Sequence, residues 1–213
     1  MDLKELSSVV QTGSQKKSKE LVKKALDEKI EPVKILNDGM IEAMSEVGVK
    51  FKNNEIYVPE MLMAAKAMAA GMKVLEPILT KTGVKPVGKA VIGTVKGDLH
   101  DIGKNLVAMM MKGTGIEITD LGVDAEPAKF LKTAEKIGAD IVCMSALLTT
   151  TMPAMDDTIK EFEKAGVRDK YIFMVGGAPL SDEYAKKIGA DYYTPDAGSA
   201  AEVAKSAVLK KSK

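Results

Sequence analysis

The sequence predicts an α/β chain in two parts: a helical bundle over residues 1–82, a linker over 83–89, and a parallel sheet flanked by helices over 90–213. Apolar residues recur at helical spacing through the first part. A stretch punctuated by glycine and proline then breaks that period. Beyond it, short β-branched runs alternate with amphipathic segments, which is the signature of βαβ units.

In the first part, a short helix precedes one that Ser14 caps and that runs to about Glu28. Pro32 opens the next helix, to about Val49, because a first-turn proline gives up only an N–H that would have no intrahelical partner. Pro59 opens the last, which ends near Thr80. Its residues Met61, Ala65, Met68, Met72, Leu75 and Leu79 form an apolar seam, and the methionines read as gap-filling core. Together these make a bundle of about four helices. Thr82–Gly88 reads as connecting chain. The strands follow as AVIGTV (90–95), IEITDL (116–121), DIVCMSA (140–146), YIFMVGG (171–177) and a short fifth near Asp191–Tyr193. Helical segments near 102–112, 127–137, 154–165 and 182–188 separate them, and one near 199–211 closes the chain. Five such strands favour the flavodoxin-like (Rossmann-like) order 2-1-3-4-5, whose ligands bind beyond the carboxyl ends of the strands, at the switch between strands 1 and 3.

Composition narrows the chemistry. The 213 residues carry 31 basic and 30 acidic side chains, a balance that argues against binding driven by phosphate neutralisation and hence against nucleic acid as a partner. With one cysteine and one histidine, the chain builds no disulfide framework, thiolate cluster or multi-histidine metal site. Cys143, inside a strand, reads as a small buried hydrophobe. No apolar stretch has the length of a membrane span and the N-terminus lacks an apolar signal core, so a cytoplasmic protein with no membrane partner is expected.

The unusual residues stand in the loops leaving strands 1, 3 and 4: Gly97-Asp98-Leu99-His100-Asp101-Ile102-Gly103-Lys104, Ser145 to Thr151, and Gly176-Gly177. The first is not a P-loop, since five residues separate Gly97 from Gly103 where that motif has four, and Asn105 follows the lysine. A dinucleotide fingerprint fails on glycine spacing, and a phospho-acceptor domain needs an aspartate where Ser145 stands. Lys104 reads as a solvated helix residue. Asp98 and His100, two apart in extended chain, project to one side, so the carboxylate is placed to accept a ring N–H and direct the other nitrogen outward. On spacing alone two readings stay open: a solvated loop histidine, or an imidazole giving one ligand to a metal held otherwise by a macrocycle.

Asp98-x-His100-x-x-Gly103, then 41 residues, Ser145-x-Leu147, then 28 residues, Gly176-Gly177 resembles the signature of cobalamin-binding flavodoxin-like domains. The order of helical bundle, linker and α/β domain extends the resemblance over essentially the whole chain. That layout is similar to the corrinoid proteins of methylamine, methanol and methoxyaromatic demethylation and to the cobalamin module of methionine synthase. The resemblance implies cobalamin (methylcobalamin or a related corrinoid) as cofactor, with the Gly97–Gly103 loop against it and His100 as lower axial ligand to cobalt. It implies that Asp98 hydrogen-bonds His100 and that Thr151, where the compared relative has serine, extends the relay. Ser145 and Leu147 would line the slot for the displaced nucleotide tail, with Thr149 touching corrin or tail. Gly176 and Gly177 would leave room for that tail and Ala197 would border it. Phe51 and Val58 would cap the methyl-bearing face, making the bundle a cap domain. The chain would then be non-catalytic alone, carrying a methyl group on cobalt from a substrate-specific methyltransferase to a second methyltransferase, with a reductive activase as a further partner. A mutase subunit shares Asp-x-His-x-x-Gly but has no use for a helical cap. A cobalamin-sensing regulator should carry a helix-turn-helix upstream, and residues 1–30 contain no basic one.

Overall fold

The computed structural model describes residues 2–81 and 86–211. These form two compact units, one running to Pro86 and including Gly113–Gly115, the other formed by Val87–Lys112 and the chain from Ile116. Most of the connecting stretch read from the sequence, 82–85, lies outside the described residues.

The first unit contains α1 (Leu3–Gln11), α2 (Gln15–Asp27), α3 (Pro32–Lys34), α4 (Glu42–Lys52) and α5 (Val58–Lys81). Asp2 caps α1 by accepting the Lys4 N–H at 2.9 Å. Ser14 has the extended backbone of an N-cap, but its hydroxyl makes no capping bond, contrary to the sequence reading. The helix expected over 32–49 is one rod with a π-helical stretch, Ile35–Ile41, between α3 and α4. Gly39, Met40 and Ile41 are all buried, and a wider turn narrows the arc that three successive residues span. The rod continues to Lys52 and so takes Phe51 into helix. In α5 Met61, Ala65, Met68, Leu75 and Leu79 are buried as the seam predicts, while Met72 is half-buried. Gly71 lets α5 approach α2, since a Cβ there would fall 2.8 Å from the Ser18 hydroxyl, which donates to the Ala67 carbonyl at 2.8 Å.

The second unit alternates strand and helix: β1 (Gly88–Thr94), α6 (Ile102–Gly113), β2 (Ile116–Asp120), α7 (Pro127–Ile137), β3 (Ile141–Ser145), α8 (Pro153–Lys164), β4 (Ile172–Gly176), α9 (Asp182–Lys187), β5 (Tyr192–Tyr193) and α10 (Ala197–Lys211). The sheet is parallel throughout with order β2-β1-β3-β4-β5, as expected. β1 begins at Gly88, two residues before AVIGTV, because Gly88 and Lys89 already pair with Ile116 and Glu117. Pairing of Thr94 with Ser145 and of Ser145 with Gly176 ends β1, β3 and β4 at one level, so their loops emerge side by side.

Phe162 of α8 packs edge-on against Phe173 of β4 and against Tyr171, with ring centroids 4.9 and 5.1 Å apart. Cys143 is buried with its thiol donating to the Met111 sulfur at 3.9 Å, and burial pushes its pKa up to about 12. Lys104 corrects the sequence reading: it is only 2% exposed and pairs with Asp120 at 2.6 Å, because the first turn of α6 lies beside the end of β2. Phe162→Ala should cost about 3–5 kcal/mol through the cavity it leaves, read as a lowered denaturation midpoint of the α/β unit at unchanged slope.

Candidate functional site

The loop between β1 and α6 is built around one carboxylate. After Val95, Gly97 takes a left-handed φ of +82° and Asp98 donates its N–H back to the Val95 carbonyl at 3.1 Å, turning the Asp98 side chain inward. The Asp98 side chain is fully buried. Its Oδ1 accepts the ring N–H at Nδ1 of His100 at 2.8 Å and the His100 backbone N–H at 3.0 Å. Its Oδ2 accepts the Thr151 hydroxyl at 2.7 Å and the N–H groups of Leu147 and Leu148 at 2.8 and 3.3 Å. Buried Thr94 donates its hydroxyl to the His100 carbonyl at 2.9 Å.

Burial by itself raises the pKa of Asp98; hydrogen bonds from Thr151, the His100 and Leu147 N–H groups and the imidazole reverse this and hold it well below the usual carboxylate range. The His100 side chain, by contrast, is half-exposed. With Nδ1–H committed to Asp98, Nε2 has no hydrogen-bond partner among the described residues and presents a lone pair in the neutral ring. Leu99 and Ile102 are 71% and 77% exposed, and Leu147 and Leu148 are exposed in the neighbouring loop, alongside exposed Asp101, Thr149 and Thr150.

The Asp101 carbonyl accepts the Asn105 N–H at 2.8 Å as α6 opens, and a Cβ at Gly103, two residues on, would meet nothing within 4 Å. No protein atom therefore demands glycine there. Ser145 is half-buried at the end of β3 and Thr149 is exposed in the following loop. Gly176 ends β4, with the Thr194 carbonyl 3.3 Å from where a Cβ would stand. Gly177, at φ +143°, has a reason beyond the one expected: a Cβ would sit 1.9 Å from the Ala146 carbonyl oxygen, so the protein's own backbone excludes a side chain. Ala197 is buried at the start of α10. In the other unit, half-buried Phe51 lies near the end of α4 and exposed Val58 begins α5. Sequence reading missed Thr94, Leu148 and Asp124, whose parts in this loop system come from strand register and backbone donors that leave no spacing motif.

Among the described residues no group of three or more His, Cys, Asp or Glu side chains is arranged to hold a metal ion. What the site offers is a single imidazole donor, anchored from behind and set among exposed apolar side chains, with open space at Gly103. That donor set fits a metal whose other ligands come from a planar macrocycle, in an α/β unit whose loops meet at the carboxyl ends of the strands. The comparisons make the assignment specific. The B12 binding domain family matches residues 88–204, and a second B12 binding domain model matches residues 3–76. The chain is 38% identical to a corrinoid protein of Desulfitobacterium hafniense, over 95% of each chain. It is 39% identical to dimethylamine corrinoid protein 3 of Methanosarcina acetivorans, over 97% of each. The crystal structure of a cobalamin-binding protein from Desulfitobacterium hafniense superposes with a TM-score of 0.80 at 25% identity, covering 97% of this chain and 98% of that one. The chain belongs to the B12-binding corrinoid protein family, and its cofactor is a corrinoid of the cobalamin class. Among the described residues no helix is long and apolar enough to cross a membrane.

A carboxyl depressed on folding, as at Asp98, adds stability that is present above the unfolded value of about 3.9 and is lost as pH falls through the folded value. The ligand-free protein should therefore lose stability steeply below about pH 4, and Asp98→Asn should flatten that slope in denaturation measured across pH. Gly177→Ala should destabilise the unit by about 2 kcal/mol or more, seen as a lowered melting temperature.

Proposed function

We propose that this protein is a methyl carrier, the corrinoid subunit of a methyltransferase system. The observation that carries the reading is the hydrogen-bonded line from Thr151 through buried Asp98 to a half-exposed His100 whose Nε2 is left unpartnered. The curated relatives named as dimethylamine and trimethylamine corrinoid proteins support it. When bound, the corrinoid would supply a cobalt able to carry a methyl group between partners. A substrate-specific methyltransferase, a second methyltransferase and a reductive activase are the partners this role requires.

The chain's own residues hold the axial imidazole and manage its proton. His100 would offer Nε2 to the cobalt, and Asp98 keeps the proton on Nδ1, so the ring is already in the tautomer that ligation needs. Should Nε2 take a proton, the buried carboxylate beside Nδ1 would stabilise the imidazolium. Thr151 tunes that balance with one proton and two acceptors, Asp98 Oδ2 at 2.7 Å and the Leu148 carbonyl at 2.9 Å. Turning the hydroxyl to Leu148 leaves the carboxylate with one donor fewer and a stronger hold on the imidazole. Leu99, Ile102, Leu147 and Leu148 give the corrin an apolar seat, and Ser145, Thr149, Gly176, Gly177 and Ala197 suit the displaced tail. In the bundle unit, Phe51 is half-buried and Tyr57, Val58 and Met63 are exposed; Phe51 and Val58 are the residues that the family resemblance implies as a cap.

Loaded with cobalamin, the wild-type protein should show a base-off, histidine-ligated spectrum, with axial nitrogen coupling in the electron paramagnetic resonance of the cobalt(II) form. His100→Ala should lose that coupling while still binding the corrin, and undiminished coupling in this variant would overturn the assignment. Thr151→Val should weaken histidine ligation about tenfold and Thr151→Ser should restore it, read from the same spectra.

A further inference from the structure

The His100 loop is gripped on two sides, and only one grip involves the carboxylate line above. On the β3 side, Thr151, Leu147 and Leu148 act on the Asp98 carboxylate. On the β2 side, Asp124, in the loop between β2 and α7, acts on the backbone of the same segment. Its Oδ1 accepts the Gly97 N–H at 2.7 Å, and its own N–H donates to the Asp98 carbonyl at 3.0 Å. One residue thus ties both ends of the Gly97–Asp98 dipeptide. The surrounding backbone supports it: Val95 bridges Ala125, Ala125 donates to the Thr94 carbonyl at 2.9 Å, and Thr94 donates to Gly122 at 2.9 Å.

Asp124 does this from a left-handed backbone, φ +51°, that costs most residues about 1 kcal/mol and aspartate or asparagine less. Glycine would adopt the conformation freely but has no acceptor for the Gly97 N–H. The position therefore calls for a short side chain carrying an oxygen, which asparagine also supplies.

We infer that Asp124 is a positioning residue for the axial imidazole: by holding Gly97 and Asp98 from the β2 side, it sets where Asp98 presents Oδ1 to His100. The inference rests on the reading of His100 as the axial ligand. Three variants separate its parts. Asp124→Asn keeps both the acceptor and the left-handed preference, Asp124→Gly keeps only the backbone, and Asp124→Ala keeps neither.

In cobalamin-loaded protein, axial nitrogen coupling of the cobalt(II) form should match wild type in Asp124→Asn. The ratio of histidine-ligated to unligated corrin should fall about tenfold in Asp124→Gly and Asp124→Ala, which amounts to about 1.4 kcal/mol. In ligand-free protein, hydrogen exchange at the Gly97 amide should be slow in wild type and Asp124→Asn and fast in the other two. Should Asp124→Ala fail to fold, Asp124→Gly decides. Coupling retained at the wild-type level in Asp124→Gly overturns this inference alone. Coupling absent from the wild type overturns the axial-ligand reading and this inference with it.

Discussion

A buried carboxylate is tolerable only when its charge is matched by donors, and Asp98 is fully enclosed with five of them. Three are backbone N–H groups and two are side chains, Thr151 and the imidazole. Each donor comes from a loop that must leave its strand at one level, so the register of β1 against β3 is a condition of the site. A one-residue slip would turn the alternate faces over and remove Leu147, Leu148 and Thr151 from Oδ2 together. The sheet exists in functional terms to bring those loop ends beside one another, and the carboxylate is the point at which they meet.

In the proposed role, that arrangement would let a chain with one histidine and one cysteine support metal chemistry. Building a closed site from side chains takes three or four donors. A macrocycle leaves axial positions only, and an axial ligand needs orientation more than company. The backbone donors around Asp98 fix the carboxylate, the carboxylate fixes the tautomer and plane of the ring, and the surrounding leucines and isoleucine supply apolar contact without competing ligands.

Much of this was legible before the structure. Strand order followed from five β-branched runs separated by amphipathic segments, and the pairing of Asp98 with His100 followed from their two-residue separation in extended chain. What escaped was whatever depends on residues distant in sequence or on the backbone. The π-helical stretch at Ile35–Ile41 has no motif in the sequence, and the close approach of α1 that Gly39 permits, where a Cβ would fall 2.7 Å from Leu6, depends on a residue distant in sequence. Lys104 reads as solvated from sequence because its partner Asp120 is 16 residues away, at the end of β2. The demand for glycine at 177 comes from the Ala146 carbonyl, and Asp124 matters through a backbone angle that its residue type permits but does not announce.

The proposed role turns on Asp98 holding the only imidazole of the chain with its proton on Nδ1, leaving Nε2 free to ligate. Because there is one histidine, selective 15N-histidine labelling yields a single pair of ring resonances. In ligand-free protein at about pH 9, above the ordinary imidazole range, the account predicts a protonated Nδ1 and an unprotonated Nε2. Resonances of an Nε2–H tautomer, or of a ring averaging between the two, would contradict it.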